Sequence, residues 1–426
     1  MAIKKIRVKN FKSFKDLELN LGNLNILIGA NASGKSNFIQ IFKFLRDIVT
    51  FGLERAILYQ GGIEYIRNIN FRHDPIFFEI TYSYQQNESN GAELSALPTL
   101  PDFKIYEIVY TLSIESNKDD SGFRVSEDRV LCKYRNKDNE INELVISNVN
   151  GKIVLSTNQT VGSEIDLKDF YRNLFDTLKN TQLEFLAGSL STVLERFRIP
   201  DKSTLLENHD LLVPFVNLSY FGNLTIYDFN PKLSKQAVPM AGNAFLAEDG
   251  LNLPIVLKII LDNDNEKREF INLMTYFLDF VKDLRIQKTI DKRFFLELSE
   301  IYSDGQYLPP FLISDGTVNI ANLIITLFFD AMKLTIIEEP ERNIHPSLIS
   351  KVVSLMKDAS ERKQIIATTH NPEMVKHADL KDVLLAFRDE NGFTSIINPS
   401  DNKDVDTFLE NGMRLEDLYV DNLLEI

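Results

Sequence analysis

The sequence has a single cysteine, no tryptophan and no long uninterrupted apolar run. Cys132 by itself cannot form an internal disulfide or a cysteine-rich zinc site, and we interpret it as a small core residue. The longest apolar stretches, residues 320–329 and 270–281, contain Asn or Asp and are shorter than the roughly 20 residues that span a bilayer. The first residues lack the apolar segment of a signal peptide. We therefore expect a cytoplasmic protein with no membrane partner.

Positive charge is also in deficit. The chain carries 47 Lys and Arg against 61 Asp and Glu, which gives a formal net charge of −14 at pH 7. This balance argues against a broadly basic nucleic-acid surface but leaves room for a local basic groove. Nucleic acid therefore stays open as a partner that the charge does not indicate. With 426 residues, 44% of them hydrophobic, the chain is long enough for two or three globular domains.

Hydrophobic periodicity predicts helix–strand alternation at both ends of the chain and a different middle. We predict an α/β fold in which a nucleotide-binding core is split by an insertion. The first part of the core covers residues 1–84 and the second part residues 301–426. The insertion, residues 85–300, is predicted to be β-rich to about residue 157 and mainly helical thereafter.

The predicted elements can be stated more closely. Strands are expected at 24–28, 76–82, 106–114, 124–134, 143–146, 294–298, 334–337, 364–367 and 382–387. Helices are expected at 36–49, 166–180, 253–261, 266–281, 317–332 and from Pro346 to about residue 359. Residues 222–243, with two prolines and two glycines, are expected to be irregular.

Residues 29–36 read Gly-Ala-Asn-Ala-Ser-Gly-Lys-Ser and match the pattern G-x-x-x-x-G-K-[ST]. The glycines let the backbone N–H groups point at phosphate oxygens, and the following helix presents its positive N-terminus. Lys35 can reach the β- and γ-phosphates of ATP, while the Ser36 hydroxyl can ligate Mg²⁺. The motif lies between a predicted strand and a predicted helix, which disfavours an ordinary strand-to-helix turn. The predicted nucleotide contacts are Gly29, Asn31, Ala32, Ser33, Gly34, Lys35, Ser36 and Asn37.

An apolar strand at 334–337 ends in two carboxylates, Glu338 and Glu339. In a P-loop ATPase one acid can hold Mg²⁺, directly or through water, and the next can orient the attacking water. We assign Glu338 to the metal and Glu339 to the general base. The competing interpretation is a solvated strand end, and it loses weight because a P-loop lies upstream.

His370 follows the predicted strand at 364–367 and lies one strand–helix–strand unit after Glu338. That spacing predicts that His370, Gly29 and Glu338 meet at the carboxyl edge of one sheet, where open α/β sheets bind ligands. A lone histidine is usually structural, but this position favours a sensor of the γ-phosphate. The other histidines have no such support, and His345 is interpreted as part of a turn.

Residues 314–317 read Ser-Asp-Gly-Thr just before a predicted helix. Exposed amides at a helix start form an anion site, although the same residues alone would be only an N-cap. Functional weight comes from the order of the motifs: P-loop, insertion, this segment, acid strand and histidine strand. On that basis we interpret the start of this helix as a candidate anion site.

With this order of motifs the chain resembles the ABC-type ATPases of the SMC, RecF and OLD group, particularly the compact stand-alone ATPases of bacterial defence operons. The matching segments are 8–14, 29–37, 314–317, 337–346 and 368–372. The middle of the chain, from about 85 to 300, carries none of the resemblance. The resemblance implies a P-loop NTPase head with two lobes: a mixed sheet core, an antiparallel β lobe and a helical insertion.

The resemblance also implies a homodimer, in which two heads join head-to-tail around two ATP molecules. Ser314, Asp315 and Gly316 would then contact the γ-phosphate held by the partner's Lys35. Arg342 and Asn343 would cross the dimer interface, and Lys12 would approach the nucleotide. The chain departs from the group at Glu338, where most ABC ATPases have Asp, and in reading Ser-Asp-Gly-Thr rather than Ser-Gly-Gly-Gln. Gln60 is one weak candidate for the glutamine loop.

The leading hypothesis is an ATPase that dimerises around ATP and switches a partner effector, a nuclease or toxin, in anti-phage defence. The segment after His370 is too short for the Toprim nuclease domain of OLD proteins, so any nuclease is expected to be a separate polypeptide. Three alternatives remain open: a nucleotide-gated scaffold with little turnover, a RecF-like DNA-repair ATPase and, disfavoured by the 314–317 segment, a transporter subunit.

Overall fold

A computed structural model describes residues 2–83, 104–117, 122–135, 140–157, 165–166, 199, 202–209, 219–240 and 244–401. The strands are β1 Ala2–Phe11, β2 Phe14–Asn20, β3 Leu24–Gly29, β4 Ile76–Ser83, β5 Lys104–Ser116, β6 Phe123–Arg135, β7 Ile141–Val149, β8 Lys152–Thr157, β9 Ile165–Asp166, β10 Leu224–Tyr227, β11 Val238–Pro239, β12 Val281–Lys288, β13 Arg293–Glu300, β14 Tyr307–Leu308, β15 Leu334–Glu338, β16 Gln364–Thr369, β17 Val383–Arg388 and β18 Thr394–Ile397. The helices are α1 Lys35–Phe51, α2 Leu53–Tyr59, α3 Ile63–Ile66, α4 Pro231–Ser234, α5 Leu253–Asp262, α6 Asp264–Phe277, α7 Asp315–Ile324, α8 Ile349–Ala359 and α9 Pro372–Lys376.

The chain divides into two compact units. The first unit contains residues 1–21, 36–222 and 388–395, and the second contains residues 22–35, 223–387 and 396–426. Each unit therefore draws on segments that are distant in sequence. The predicted insertion boundaries at 85 and 300 stay a prediction. Within the described residues, no helix is both long and apolar enough to cross a membrane.

The first unit is built on an eight-stranded sheet with the order β2-β1-β4-β5-β6-β7-β8-β9, in which every pair is antiparallel. Strand β4 alternates buried and half-exposed residues along its whole length, as expected for a sheet covered on one face. Helix α1 packs on this sheet through aromatic contacts. The ring of Phe44 lies 6.0 Å from that of Phe11 and 5.6 Å from that of Phe78. These contacts anchor the helix that follows the predicted P-loop.

The second unit contains a six-stranded sheet with the order β10-β15-β16-β3-β17-β18. The pairs from β10 through to β17 are parallel. All residues of β3 and β16 are buried, which is typical of a parallel sheet covered on both faces. Helices α5 to α8 supply half of the buried residues in the apolar cluster around it. A small antiparallel sheet, β11-β13-β12 with β14 on β13, completes the unit.

The α/β fold class is confirmed, with a parallel sheet carrying the P-loop and a separate antiparallel β lobe. The predicted strands at 24–28, 334–337, 364–367 and 382–387 all belong to the parallel sheet, and the predicted helix at 36–49 is α1. Most of the predicted helix at 166–180 lies outside the described residues.

Three local predictions were wrong. Residues 224–227, expected to be irregular, form the edge strand β10, because their pairing partner β15 lies more than a hundred residues away. The helix expected to reach residue 281 ends at Phe277, and Val281 begins β12. The helix expected to reach residue 332 ends with a π-helical turn over Ile325–Phe329.

Candidate functional site

Three neighbouring parallel strands end at one edge of the six-stranded sheet. In the register of the sheet, Glu338 of β15 lies opposite Thr368 of β16, and Thr369 of β16 lies opposite Ile28 of β3. Because the strands are parallel, the residues that follow them emerge at the same edge. The loop after β3 carries Lys35, the loop after β15 carries Glu339, and the loop after β16 carries His370. The structure thus brings these three predicted residues together.

The loop after β3 has the backbone of a phosphate-binding turn. A Cβ on Gly29 would lie 2.4 Å from Ser33 Oγ and 2.5 Å from the Ala386 carbonyl oxygen, so no side chain fits there. Ala32 and Gly34 have positive φ angles of 65° and 108°. This left-handed backbone turns successive N–H groups toward one side, the arrangement that binds anions. The Asn31 side chain is exposed and Ser33 is buried, so the two predicted contacts differ in access.

Lys35 begins helix α1, and its ammonium folds back over its own loop. Nζ donates hydrogen bonds to the carbonyl oxygens of Gly29 at 2.6 Å and Ala30 at 3.0 Å. Burial lowers the pKa of Lys35, and the nearby Glu339 carboxylate opposes this shift. Ser36 follows in the first turn of α1 and is exposed. The Asn37 side chain donates to Ser13 Oγ at 2.7 Å, so this predicted contact already has an internal partner.

The acid pair follows β15 with a sharp change of backbone. Glu338 is the last residue of the strand, and Glu339 adopts a positive φ of 47°. This conformation is uncommon for a residue other than glycine and often marks functional sites. The Glu339 backbone N–H donates to the Thr368 carbonyl oxygen at 2.9 Å. The turn therefore fixes the direction in which the Glu339 side chain leaves the sheet edge.

The side chains of Arg342 and His370 both contact the Glu339 carboxylate. His370 Nδ1 lies 2.9 Å from Oε1, and Arg342 Nε donates to Oε2 at 3.1 Å. Burial would raise the pKa of Glu339, but the hydrogen bond and charge of Arg342, with His370 beside it, outweigh burial and lower the pKa. Arg342 is fixed in turn by Asp228, whose carboxylate lies 2.7 Å from its Nη1. Glu339 is therefore ionised and oriented at neutral pH.

Two residues of this cluster, Glu341 and Asp228, were not predicted from the sequence. Glu341 is 7% exposed, and its Oε1 accepts a hydrogen bond from the Thr369 hydroxyl. A cavity of about 400 Å³ is lined by Glu339, Glu341, Arg342, Asn343, His370, Asn371 and Pro372. Asp228 lies 114 residues from Arg342, so no local pattern could have paired them. An acid two residues after the general base was the single available signal for Glu341.

Residues 314–317 form the start of α7. The Ser314 side chain accepts a hydrogen bond from the Thr317 backbone N–H at 3.1 Å and is exposed. A Cβ on Gly316 would lie 2.5 Å from the Asn343 carbonyl oxygen, so glycine permits the close approach. The Asp315 carboxylate forms an ion pair with Lys235. The N-cap interpretation of Ser314 is thus confirmed as local structure, while the predicted nucleotide contact stays a prediction.

Other predicted residues have hydrogen bonds or charged neighbours of their own within the chain. Gln60 donates to Gln40 Oε1 at 3.0 Å. Lys12 lies in the turn between β1 and β2, where burial, with Lys43 nearby, lowers its pKa. His345 caps the turn that precedes α8 by accepting from the Ser347 backbone N–H at 3.3 Å. The role of Asn343 across a dimer interface stays a prediction.

The metal ligands predicted from the sequence are Ser36 and Glu338, and their role stays a prediction. Within the described ranges no group of three or more His, Cys, Asp or Glu side chains could hold a metal ion. Mg²⁺ usually binds through one or two protein oxygens together with water and substrate phosphates. The Ser36 hydroxyl is exposed, and the Glu338 carboxylate is half-buried. Both are hard oxygen donors of the type that this ion prefers.

Comparison with known proteins covers both parts of the chain. Residues 1–196 match the family model described as AAA ATPase domain, and residues 245–376 match the model described as AAA domain, putative AbiEii toxin, Type IV TA system. Endonuclease GajA of Bacillus cereus (strain VD045) is 25% identical over 122 residues, which are 28% of this chain and 20% of that protein. The DNA replication and repair protein RecF of Lactococcus lactis subsp. cremoris (strain MG1363) is 46% identical over 46 residues, 11% of this chain and 13% of RecF. The chain spans a fifth or less of these relatives.

Solved structures similar to this chain include SMC head domains. The SmcHead bound to the C-winged helix domain of ScpA matches with a TM-score of 0.47 and 13% identity, covering 93% of this chain and 98% of that one. The SMC head domain from Thermotoga maritima matches with a TM-score of 0.40 and 14% identity, covering 93% and 99%.

Proposed function

We propose that this chain, a member of the SMC, RecF and OLD group of ABC-type ATPases, binds ATP at the 29–36 loop and hydrolyses it. One observation carries the proposal: β3, β15 and β16 deliver Lys35, Glu339 and His370 to a single sheet edge. Around a triphosphate, Lys35 would supply a cation for the phosphates and Glu339 an ionised acceptor for the attacking water. His370 would place its imidazole beside the γ-phosphate.

Binding would exchange one set of oxygen partners of Lys35 for another. Its ammonium now donates to the Gly29 and Ala30 carbonyls, and phosphate oxygens are stronger acceptors because they are charged. The N–H groups of the left-handed turn at Ala32 and Gly34 would add further donors. Mg²⁺, when bound through Ser36 and Glu338, would neutralise charge that develops on the phosphates.

Glu339 would orient the attacking water. Its carboxylate stays ionised because Arg342 and His370 lower its pKa, so it accepts a hydrogen bond from water at neutral pH. In phosphoryl transfer such a residue orients the attacking nucleophile and can accept its proton. The bond from Arg342 and the contact with His370 keep the carboxylate in one rotamer.

We further propose that ATP joins two copies of the chain head-to-tail. The exposed Ser314 hydroxyl and the backbone N–H groups of Asp315 and Gly316, at the start of α7, would contact the γ-phosphate bound by the other copy. Lys235 neutralises the Asp315 carboxylate, which would otherwise repel the phosphate. Hydrolysis would remove these contacts and let the copies separate, which makes the dimer a switch.

Turnover of ATP with Mg²⁺ tests the proposal. We expect wild type to release phosphate, and Glu339→Gln to lose at least about a hundredfold in kcat while still binding ATP, because the amide cannot act as base. The exposed Glu361→Gln is the matched control and should keep wild-type rates. Hydrolysis that survives Glu339→Gln would contradict the assignment of the base.

Light scattering on the same variants tests the dimer. Glu339→Gln with ATP should have the mass of a dimer, and Ser314→Arg in that background should stay a monomer. Ser400→Arg, at another exposed serine, should still dimerise. A monomer in Glu339→Gln at saturating ATP would refute the switch.

The effector and the setting are proposed from the family. The switch would control a separately encoded nuclease or toxin in anti-phage defence, in keeping with the similarity to a protein named Endonuclease GajA. Phage plating on cells that express the chain with its neighbouring genes measures this role. If phage form equal numbers of plaques on cells with the wild-type chain and with Lys35→Ala, the role in anti-phage defence is excluded.

A further inference from the structure

Glu341 is a buried carboxylate that the proposed mechanism does not use. It is 7% exposed, and the Thr369 hydroxyl donates to its Oε1. Its Oε2 is buried and has no hydrogen-bond partner within the part of the chain that is described. A buried carboxylate with so few partners costs stability rather than adding to it. Glu341 lines the same cavity as Glu339 and His370, so we looked for a role of this carboxylate at the site.

The hydrogen bonds of Thr369 connect Glu341 to the backbone on both sides of His370. Thr369 Oγ1 donates its proton to Glu341 and accepts from the Asn371 backbone N–H at 2.9 Å. A hydroxyl has one proton to donate, so the acceptor at Glu341 decides which way its lone pairs face. With the proton directed at Glu341, a lone pair faces the Asn371 N–H. The bend that carries His370 is thereby closed.

Packing alone gives His370 little orientation. Its side chain is 57% exposed, and it contacts Glu339 through Nδ1 at 2.9 Å. The backbone on either side must therefore set the direction of the imidazole. Burial raises the pKa of Glu341, and the hydrogen bond from Thr369 opposes that shift by stabilising the ionised form. The carboxylate and the hydroxyl thus support each other.

We propose that Glu341 is a positioning residue, which holds His370 against Glu339 through the hydroxyl of Thr369. The inference rests on the proposed ATPase function, since His370 acts there on bound nucleotide. Without the acceptor the hydroxyl turns away, the Asn371 N–H loses its partner, and the bend at His370 relaxes. A small displacement of a group that acts in the transition state lowers kcat more than it alters substrate binding.

Two pairs of variants test the role in steady-state phosphate release. Glu341→Ala and Thr369→Val should each lose at least about tenfold in kcat with KM for ATP within about twofold of wild type. Glu341→Gln and Thr369→Ser should recover most of the rate, because they keep an acceptor oxygen and a hydroxyl. Glu361→Ala changes an exposed acid in the turn before β16 and should behave as wild type. Loss in Glu341→Gln equal to that in Glu341→Ala would overturn the proposal.

A second background shows whether Glu341 acts through His370. In His370→Ala, single-turnover rates should not fall further on adding Glu341→Ala, because the group to be positioned is gone. An equal loss in both backgrounds would mean that Glu341 acts by another route, and the proposal would fail. Melting temperature and ATP affinity of each variant exclude simple unfolding. If Glu341→Ala does not fold, Thr369→Val in the two backgrounds decides the same question.

Failure of this inference is separate from failure of the proposed function. A wild-type chain that releases no phosphate contradicts the ATPase function and the inference with it. A wild-type chain that turns over ATP while Glu341→Ala and Thr369→Val match it contradicts the inference alone.

Discussion

Two buried carboxylates, one in each unit, are held in opposite ways. Asp128 of β6 is 3% exposed and accepts from the Leu205 N–H at 2.7 Å, the Asn148 amide at 3.2 Å and the Tyr110 hydroxyl at 3.2 Å. Glu341, beside the sheet edge of the second unit, accepts from Thr369 and has a second oxygen without a partner in the described chain. Burial is the largest cause of a raised pKa for both.

If the proposed function holds, the difference distinguishes an acid that supports the fold from one beside a catalytic site. The three donors of Asp128 come from β5, from β7 and from the 202–209 segment, so the carboxylate ties that segment to the antiparallel sheet. Such a fully satisfied buried group specifies the local structure. Glu341 accepts a hydrogen bond from one hydroxyl, that of Thr369, which precedes His370. Its burial costs desolvation free energy that this one hydrogen bond offsets only in part.

The largest expected effect is on stability, at Asp128. Asp128→Ala leaves the buried Leu205 N–H without an acceptor, which costs about 1–3 kcal/mol. The thermal transition should fall clearly below that of wild type and of Glu127→Ala, a half-exposed neighbour on the same strand. Glu341→Ala should lower it less, because the burial of this poorly partnered carboxylate itself costs stability. Equal losses of stability in Asp128→Ala and Glu341→Ala would contradict the distinction between the two acids.

A second effect at Asp128 is expected in the pH dependence of stability. Burial raises the pKa of Asp128 from 3.8 to about 7. Between these values the folded chain holds a proton that the unfolded chain has released, so this contribution is complete below the lower value and is lost as pH rises to about 7. Asp128→Asn should remove that loss, because its oxygen can accept from Leu205 and Asn148 while its amide donates to Tyr110.

Melting temperatures from pH 5 to pH 8 check this prediction. The difference between Asp128→Asn and wild type should grow in favour of the variant as pH increases. A constant difference over that range would show that Asp128 does not titrate there.

The smallest effect concerns the pH profile of turnover. Arg342 is the main group that lowers the pKa of Glu339 against burial. Arg342→Ala should raise that pKa and move the acidic limb of the profile of kcat/KM to higher pH. The variant should therefore lose more activity relative to wild type at pH 6 than at pH 8. Arg362→Ala, at an exposed arginine, should leave the profile unchanged, and an identical shift in both would remove Arg342 from this role.

Local pattern predicted which strand ends meet at the edge of the parallel sheet. The P-loop residues, Glu339 and His370 each follow a short apolar strand, and parallel pairing brings such strand ends together. Strand β10 was missed because four residues in a Pro- and Gly-rich region form a strand only through pairing with β15. The start of β12 was missed because an apolar helical pattern continues into it. Both errors come from tertiary pairing overriding a local preference.

By itself the sequence determined the P-loop motif and the order of the motifs, because these depend on residue types at fixed spacing. Tertiary structure alone decided that Arg342 pairs with Asp228, that Thr369 donates to Glu341, and that Glu339 remains ionised. These contacts join segments that approach only when the parallel sheet forms. Hydrogen bonding and desolvation depend on distance and burial in space, which spacing along a chain does not record.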